Sequence, residues 1–268
     1  MNAAFGALGE MLNPQAQLFD CYADAYAQFR PSYPDAAIEM MLERWQLGPH
    51  ALVCDLAAGT GTLGGMFAAR GFQVVAVEPL AQMRNCLARI AHQRRWPIQV
   101  VGGLAEAIPL RDQSVHAMVC GQAFHWFQAD AALSEMHRVL KPGGGMALLW
   151  NNQDWRHVAW LAELERLIEH YNPQYDRHYR SKDWQSVVNR SGLFAPVQTF
   201  EFVMDLFPTT EQVLGLVSTY SYVRSMPPER QRPLLDEIAA VCEREQQVGG
   251  VLLLRYRTQL YLTQRPRR

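Results

Sequence analysis

The sequence predicts an α/β fold: a doubly wound, mainly parallel sheet with helices on both faces. Three observations predict it. From Ala51 to Trp150, short apolar runs alternate with segments of helical period. A glycine-rich turn, residues 55–64, joins the first run to the first helical segment. The apolar share, 49% of 268 residues against 19% charged, supplies a core for one large domain or one domain with an insertion. Strands alternating with helices make βαβ units. Their right-handed crossovers set the loops after the strands along one edge, where ligands bind.

In order, Ala51–Leu56 reads as a buried strand and residues 61–70 as a helix. Gln73–Val77, rich in valine, is the second strand. Leu80, Met83, Leu87, Ile90 and Ala91 recur at helical spacing and predict a helix over 80–93. Ile98–Val101 and Val115–Cys120 are the next strands. Leu133, Met136, Val139 and Leu140 mark a helix stopped by Lys141-Pro142-Gly143-Gly144-Gly145, and Met146–Trp150 is a fifth strand. Beyond it, 155–170 is an amphipathic helix, Ser181–Ser191 another, and Val197–Phe207 a strand. Residues 209–224 and 228–247 are helical, and Val251–Thr263 is a long final strand. The two helices between the last two strands are expected to cap the ligand edge. The predicted organisation is a lid over 1–50, a binding core over 51–155 and a completion of the sheet over 156–268, with the cap at about 208–248.

Composition excludes several classes. Lys+Arg is 25 and Asp+Glu 26, a net charge of -1, which argues against coating nucleic acid. No apolar run is long enough to cross a bilayer, and Met1–Gly6 lacks a charged, then apolar, export signal. Five widely spaced cysteines without a CxxC pair read as reduced core residues in a cytoplasmic protein with no metal site. The oligomeric state is not legible.

The chemistry concentrates in Asp55-Leu56-Ala57-Ala58-Gly59-Thr60-Gly61-Thr62-Leu63-Gly64. It follows a strand and opens a helix, so its glycines let a ligand approach the main chain. Residues 59–64 match GxGxxG, a dinucleotide pattern that is weak alone and compatible with a turn that binds nothing. Glu78, at the end of the second strand, could accept hydrogen bonds from both ribose hydroxyls of an adenosine; the alternative is a solvated strand end. Asp55 separates two chemistries. A carboxylate beside the glycines repels a pyrophosphate and welcomes an ammonium or sulfonium group, which favours S-adenosylmethionine over NAD.

These stretches, with Val74–Pro79, Gly103–Leu110, Gly121–Phe127, Arg138–Gly144 and Phe29–Pro34, resemble the class I S-adenosylmethionine-dependent methyltransferases. The similarity is greatest to the small-molecule group that includes the trans-aconitate type, and it covers residues 19–155. The resemblance implies a seven-stranded mixed sheet whose last strand is antiparallel, with S-adenosylmethionine as cofactor and S-adenosylhomocysteine as product. It implies that Asp55, Ala57, Gly59, Thr60 and Gly61 line the methionine part of the cofactor. Glu78 would hold the ribose, with Pro79 and Met83 near the adenine. Leu104, Ala105 and Glu106 would border the adenine, although many relatives carry Asp where Leu104 stands. Gln122 and Ala123 would face the methionine end.

The acceptor side is less determinate. Methyl transfer is an in-line displacement at the sulfonium carbon, so the protein must align acceptor, methyl and sulfur. His125 has a suitable pKa for a general base; its alternative is a structural histidine in the loop. Trp126 is either a wall between cofactor and acceptor or core packing. Tyr22, Tyr26, Phe29 and Tyr33 recur at steps of three and four and could share a lid face. On that reading Tyr26 covers the cofactor, Tyr33 reaches the substrate, and Arg30 grips the cofactor's carboxylate unless it is a surface ion pair. Asn151, Tyr220, Tyr222 and Arg224 are candidate substrate contacts, with turn and cap-packing roles as alternatives. The functional expectation is methyl transfer to O, N or C of a small metabolite, in secondary metabolism on the widest reading. An NAD-dependent oxidoreductase and a non-catalytic S-adenosylmethionine-binding module are the competing readings.

Overall fold

The computed structural model describes residues 17–175 and 182–267. The start of the chain, Ser181 and Arg268 lie outside them. Seven strands form one sheet in the order β3-β2-β1-β4-β5-β7-β6. They are β1 Leu52–Leu56, β2 Gln73–Val77, β3 Ile98–Val101, β4 Val115–Gly121, β5 Leu140–Gln153, β6 Gln198–Leu206 and β7 Leu254–Gln264. The β1–β2, β1–β4, β2–β3 and β4–β5 pairs are parallel. β7 runs antiparallel to both β5 and β6, so the mixed sheet and its antiparallel last strand are as expected. β1 and β4 are central and read as near-continuous apolar runs because both their faces are covered.

The helices, in chain order, are α1 Ala23–Phe29, α2 Asp35–Trp45, α3 Thr62–Ala68, α4 Ala81–Arg94, α5 Ala129–Val139, α6 Ala159–Tyr171, α7 Trp184–Arg190, α8 Thr210–Ser218, α9 Ser221–Arg224 and α10 Pro228–Gly249. Short 3-10 turns at Leu18–Tyr22 and Phe124–Trp126 complete the set. Three of these elements correct the sequence reading. Leu140 opens β5 instead of closing α5: Val115 pairs with Leu140 but Ala117 with Gly145, so Lys141–Gly144 bulge out of a strand that has already begun. The predicted helix 209–224 is two helices. The Ser218 and Thr219 hydroxyls donate back to the Gly215 and Leu216 carbonyls, and Tyr220 turns extended between α8 and α9. Nor is all of 17–50 a lid. α2 packs on the sheet, with the Trp45 ring occupying the space a side chain on Gly145 would need.

α1 lies against the cap helix α8. A Cβ on Gly215 would stand 2.4 Å from the Phe29 ring, so glycine is required for this close approach. α6, α8 and α10 share an apolar core, including Leu161, Leu164, Val217, Leu234 and Ile238, separate from the cores on the two sheet faces. Among the described residues no helix is long and apolar enough to cross a membrane. Four of the five cysteines are buried, and none is paired.

Candidate active site

The loops after β1, β2 and β4 meet at one edge of the sheet. At the glycine loop, Ala57, Gly59 and Gly61 all have positive φ, a conformation costly for Ala57 and natural for the two glycines. Asp55 is buried, and its Oδ2 accepts the Gly64 N–H at 2.7 Å. Gly61 caps α3, so Gly64 is its third residue and carries one of the N–H groups a helix start leaves unsatisfied. The carboxylate therefore takes the position a phosphate would need at this helix terminus. Burial pushes its pKa up to about 7, opposed by that N–H. This corrects the expected placement: Asp55 acts from behind the loop and does not line the recess. Thr60 and Gly61 are also absent from its walls. The Leu87 side chain fills the space beside Gly61.

Glu78 is buried as well, which removes the solvated strand-end reading. Its Oε2 accepts the Gly59 N–H at 2.8 Å and its Oε1 the Leu80 N–H at 2.9 Å. Burial raises its pKa to about 7 despite both donors and Arg84 nearby. Ala57, Gly59, Glu78, Pro79 and Met83 form one side of a narrow recess, and Leu104, Ala105, Glu106, Gln122 and Ala123 the other. Tyr26 and Phe19 cover it, with their rings edge to face at 5.8 Å. Phe19 escaped the sequence reading although it stands one three-residue step before Tyr22, at the head of the same aromatic series. Glu106 accepts the Gln128 N–H at 2.8 Å, which ties the 104–106 turn to the next helix.

A larger cavity of about 690 Å³ adjoins the recess, and Phe19, Tyr26, Gln122 and Trp126 line both. Arg30, Tyr33, His125, Asn151, Tyr220 and Tyr222 face this cavity. The four expected lid aromatics do not share one helix. Tyr22 ends the 3-10 turn, and the chain is extended from Arg30, so Tyr33 lies beyond α1. Arg30 is no surface ion pair. Its Nε and Nη2 donate to Thr219 Oγ1 and O, each at 2.9 Å, and the Tyr26 and Tyr220 rings sandwich its guanidinium at 4.9 and 4.8 Å. Among the described residues no carboxylate pairs with it. The surrounding tyrosines raise its pKa against the effect of burial.

Asn151 donates to the Ser32 carbonyl and accepts from Thr258, so both ends of its amide hold protein. Arg224 is exposed, lies over the Tyr22 ring at 4.7 Å, and lines neither space. Arg224 therefore lies away from its expected substrate contact, whereas Asn151 lines the larger cavity with its amide held by the protein. The α8–α9 break aims Tyr220 inward and carries Arg224, four residues on, to the outside. Missed by the sequence reading were Gln153, Asn172, Arg230 and Tyr256, which all line the cavity. Gln153 and Tyr256 pair across β5 and β7 and were legible only once that register was known. His125 sits in the 3-10 turn after β4, its Nδ1 3.3 Å from Trp150 Nε1, and burial pushes its pKa down to about 4.

The family model for a methyltransferase domain matches residues 54–148. An uncharacterized methyltransferase of Mycobacterium tuberculosis is 34% identical over 225 residues, covering 82% of this chain and 83% of that protein. A methyltransferase-like protein of Schizosaccharomyces pombe is 27% identical over 245 residues, covering 90% and 92%. In fold, a methyltransferase-type protein of Anabaena variabilis superposes with a TM-score of 0.63 at 19% identity, over 86% of this chain and 97% of that one.

Proposed function

The chain belongs to the class I S-adenosylmethionine-dependent methyltransferases, and from that premise we propose that it methylates a small carboxylic acid on oxygen. The donor set suits the cofactor. Glu78 would take the ribose hydroxyls, Pro79, Met83, Leu104 and Ala105 would enclose the purine, and Glu106 stands at the same wall. Gln122 and Ala123 would border the methionine end, Tyr26 would close over it, and Arg30, on the wall of the larger cavity, would hold its carboxylate. S-adenosylmethionine, when bound, supplies an activated methyl group on a sulfonium.

The acceptor's class follows from what the cavity lacks. Among the described residues, none of its lining side chains is Asp, Glu or Lys. The donors are His125, Gln153, Asn172, several tyrosines, and Arg230 at the mouth. Such a wall suits an anion. It also offers no strong proton acceptor, since Tyr33 is held far above its ordinary pKa by burial and His125 well below its own. A carboxylate is already ionised at neutral pH and needs no base. Its oxygen pair forms the new O–CH3 bond, the S–CH3 electrons stay on sulfur, and no proton moves.

The single observation carrying this reading is that, among the described residues, the cavity is lined by the donors His125, Gln153, Asn172 and Arg230 and by no Asp, Glu or Lys. The test is a panel of small carboxylic acids, phenols and amines, read by mass for an added methylene and by pH-stat for protons. Methyl ester formation without proton release supports the reading. Turnover of an amine or phenol with a proton released at each turnover overturns it.

A further inference from the structure

We propose that Trp150 locks His125 in its neutral Nε2–H form, so that His125 holds the acceptor by donating a hydrogen bond and does not take its proton. This deepens the methyl-transfer reading and rests on it only for the acceptor's presence. An indole nitrogen is a donor and never an acceptor. With Trp150 Nε1 3.3 Å from His125 Nδ1, that ring nitrogen supplies its lone pair to the indole, and the ring proton belongs on Nε2.

Trp150 is well held for this role. It is buried on β5, stacked on the Trp184 ring at 5.1 Å and 8°, and it meets Tyr261 edge-on at 5.6 Å. A donor fixed this firmly cannot rotate away to free Nδ1. His125 itself lies against Trp126 at 4.6 Å and faces the larger cavity. A general base needs a lone pair directed at the acceptor. Here the only lone pair in the ring plane is directed at Trp150. Trp150 is therefore a positioning residue, and His125 a donor that fits a carboxylate oxygen other than the one attacking.

The test reads the tautomer directly. Nitrogen-15 NMR of ring-labelled protein saturated with S-adenosylhomocysteine is expected to show protonated Nε2 and unprotonated Nδ1 at neutral pH. An Nδ1–H tautomer or an imidazolium there would overturn the proposal. Trp150→Phe removes the indole donor and is expected to return a mixture of both tautomers; an unchanged spectrum in the folded variant also overturns it. If that variant does not fold, the wild-type spectrum and the His125 pair still decide. His125→Gln keeps a donor near Nε2 and is expected to retain kcat/KM within about threefold, while His125→Ala loses about tenfold or more, the scale of one charge-assisted hydrogen bond. Equal losses of about 100-fold in both indicate a base and refute the assignment. The tautomer is read without any acceptor, so failure of the carboxylate reading leaves this measurement standing.

Discussion

Replacing Glu78 with glutamine should stabilise the ligand-free protein at about pH 8 while loosening its hold on the cofactor. Burial lifts the folded-state pKa of Glu78 from 4.5 to about 7. An acid raised in this way binds its proton more tightly in the folded chain than in the unfolded one. Its contribution is fully present below about pH 4.5 and is lost as pH rises through about 7, a loss of about 3 kcal/mol. Glutamine carries no charge and escapes that loss. It has one acceptor oxygen for the two backbone donors of Gly59 and Leu80, which costs about 1 kcal/mol. The variant should therefore be more stable by about 2 kcal/mol at about pH 8, or about 4–8 °C in Tm for a chain of this size. Removing the Glu78 charge also eases the burial of Asp55, which acts in the same direction. Urea unfolding of both proteins between about pH 4.5 and 8.5 measures the effect, and parallel stability curves would refute the reasoning. Calorimetry with S-adenosylhomocysteine should show the opposite ranking, with the variant about tenfold or more weaker.

Other variants probe the remaining joints. Gly215→Leu drives a side chain into the Phe29 ring and should cost about 1–3 kcal/mol in unfolding free energy; an unchanged Tm would mean that α1 is not seated on α8. Arg30→Lys loses the planar fork that reaches both Thr219 oxygens, and should weaken S-adenosylmethionine about tenfold by calorimetry; an equal Kd removes Arg30 from the cofactor. Arg138 binds the Ile108 and Leu110 carbonyls together with Glu135 and Asp112, so Arg138→Leu should destabilise by about 2 kcal/mol; chemical denaturation with no shift in midpoint would show the network to be dispensable.

The first half of the sheet was legible because each strand there is short, apolar and closed by a turn signal. Glu78 followed from its position at the end of a strand, which must face the ligand edge, whereas the recess walls at Pro79, Met83 and 104–106 followed from the family resemblance. Asp55 was legible as a chemical type but not in its orientation, because residue spacing does not reveal which helix N–H group is left unsatisfied. Arg224 and Tyr220 looked equivalent in a continuous helix. Two hydroxyls bonding back onto their own turn ended that helix and parted them. Asn151 does line the larger cavity, but nothing local discloses that Ser32 and Thr258, both distant in sequence, hold its amide. The cavity's outer wall was unreadable for the same reason: its residues come from segments that only tertiary folding joins.

β7 lies between β5 and β6 although it comes later in the chain than either. A ribosome-tethered intermediate that has not yet released residues 254–264 must hold β5 with a bare edge and leave β6 without any neighbour. The sheet then closes by threading its final ribbon into a waiting gap. Until that insertion β6, whose neighbour in the sheet is β7, is not joined to the rest of the sheet.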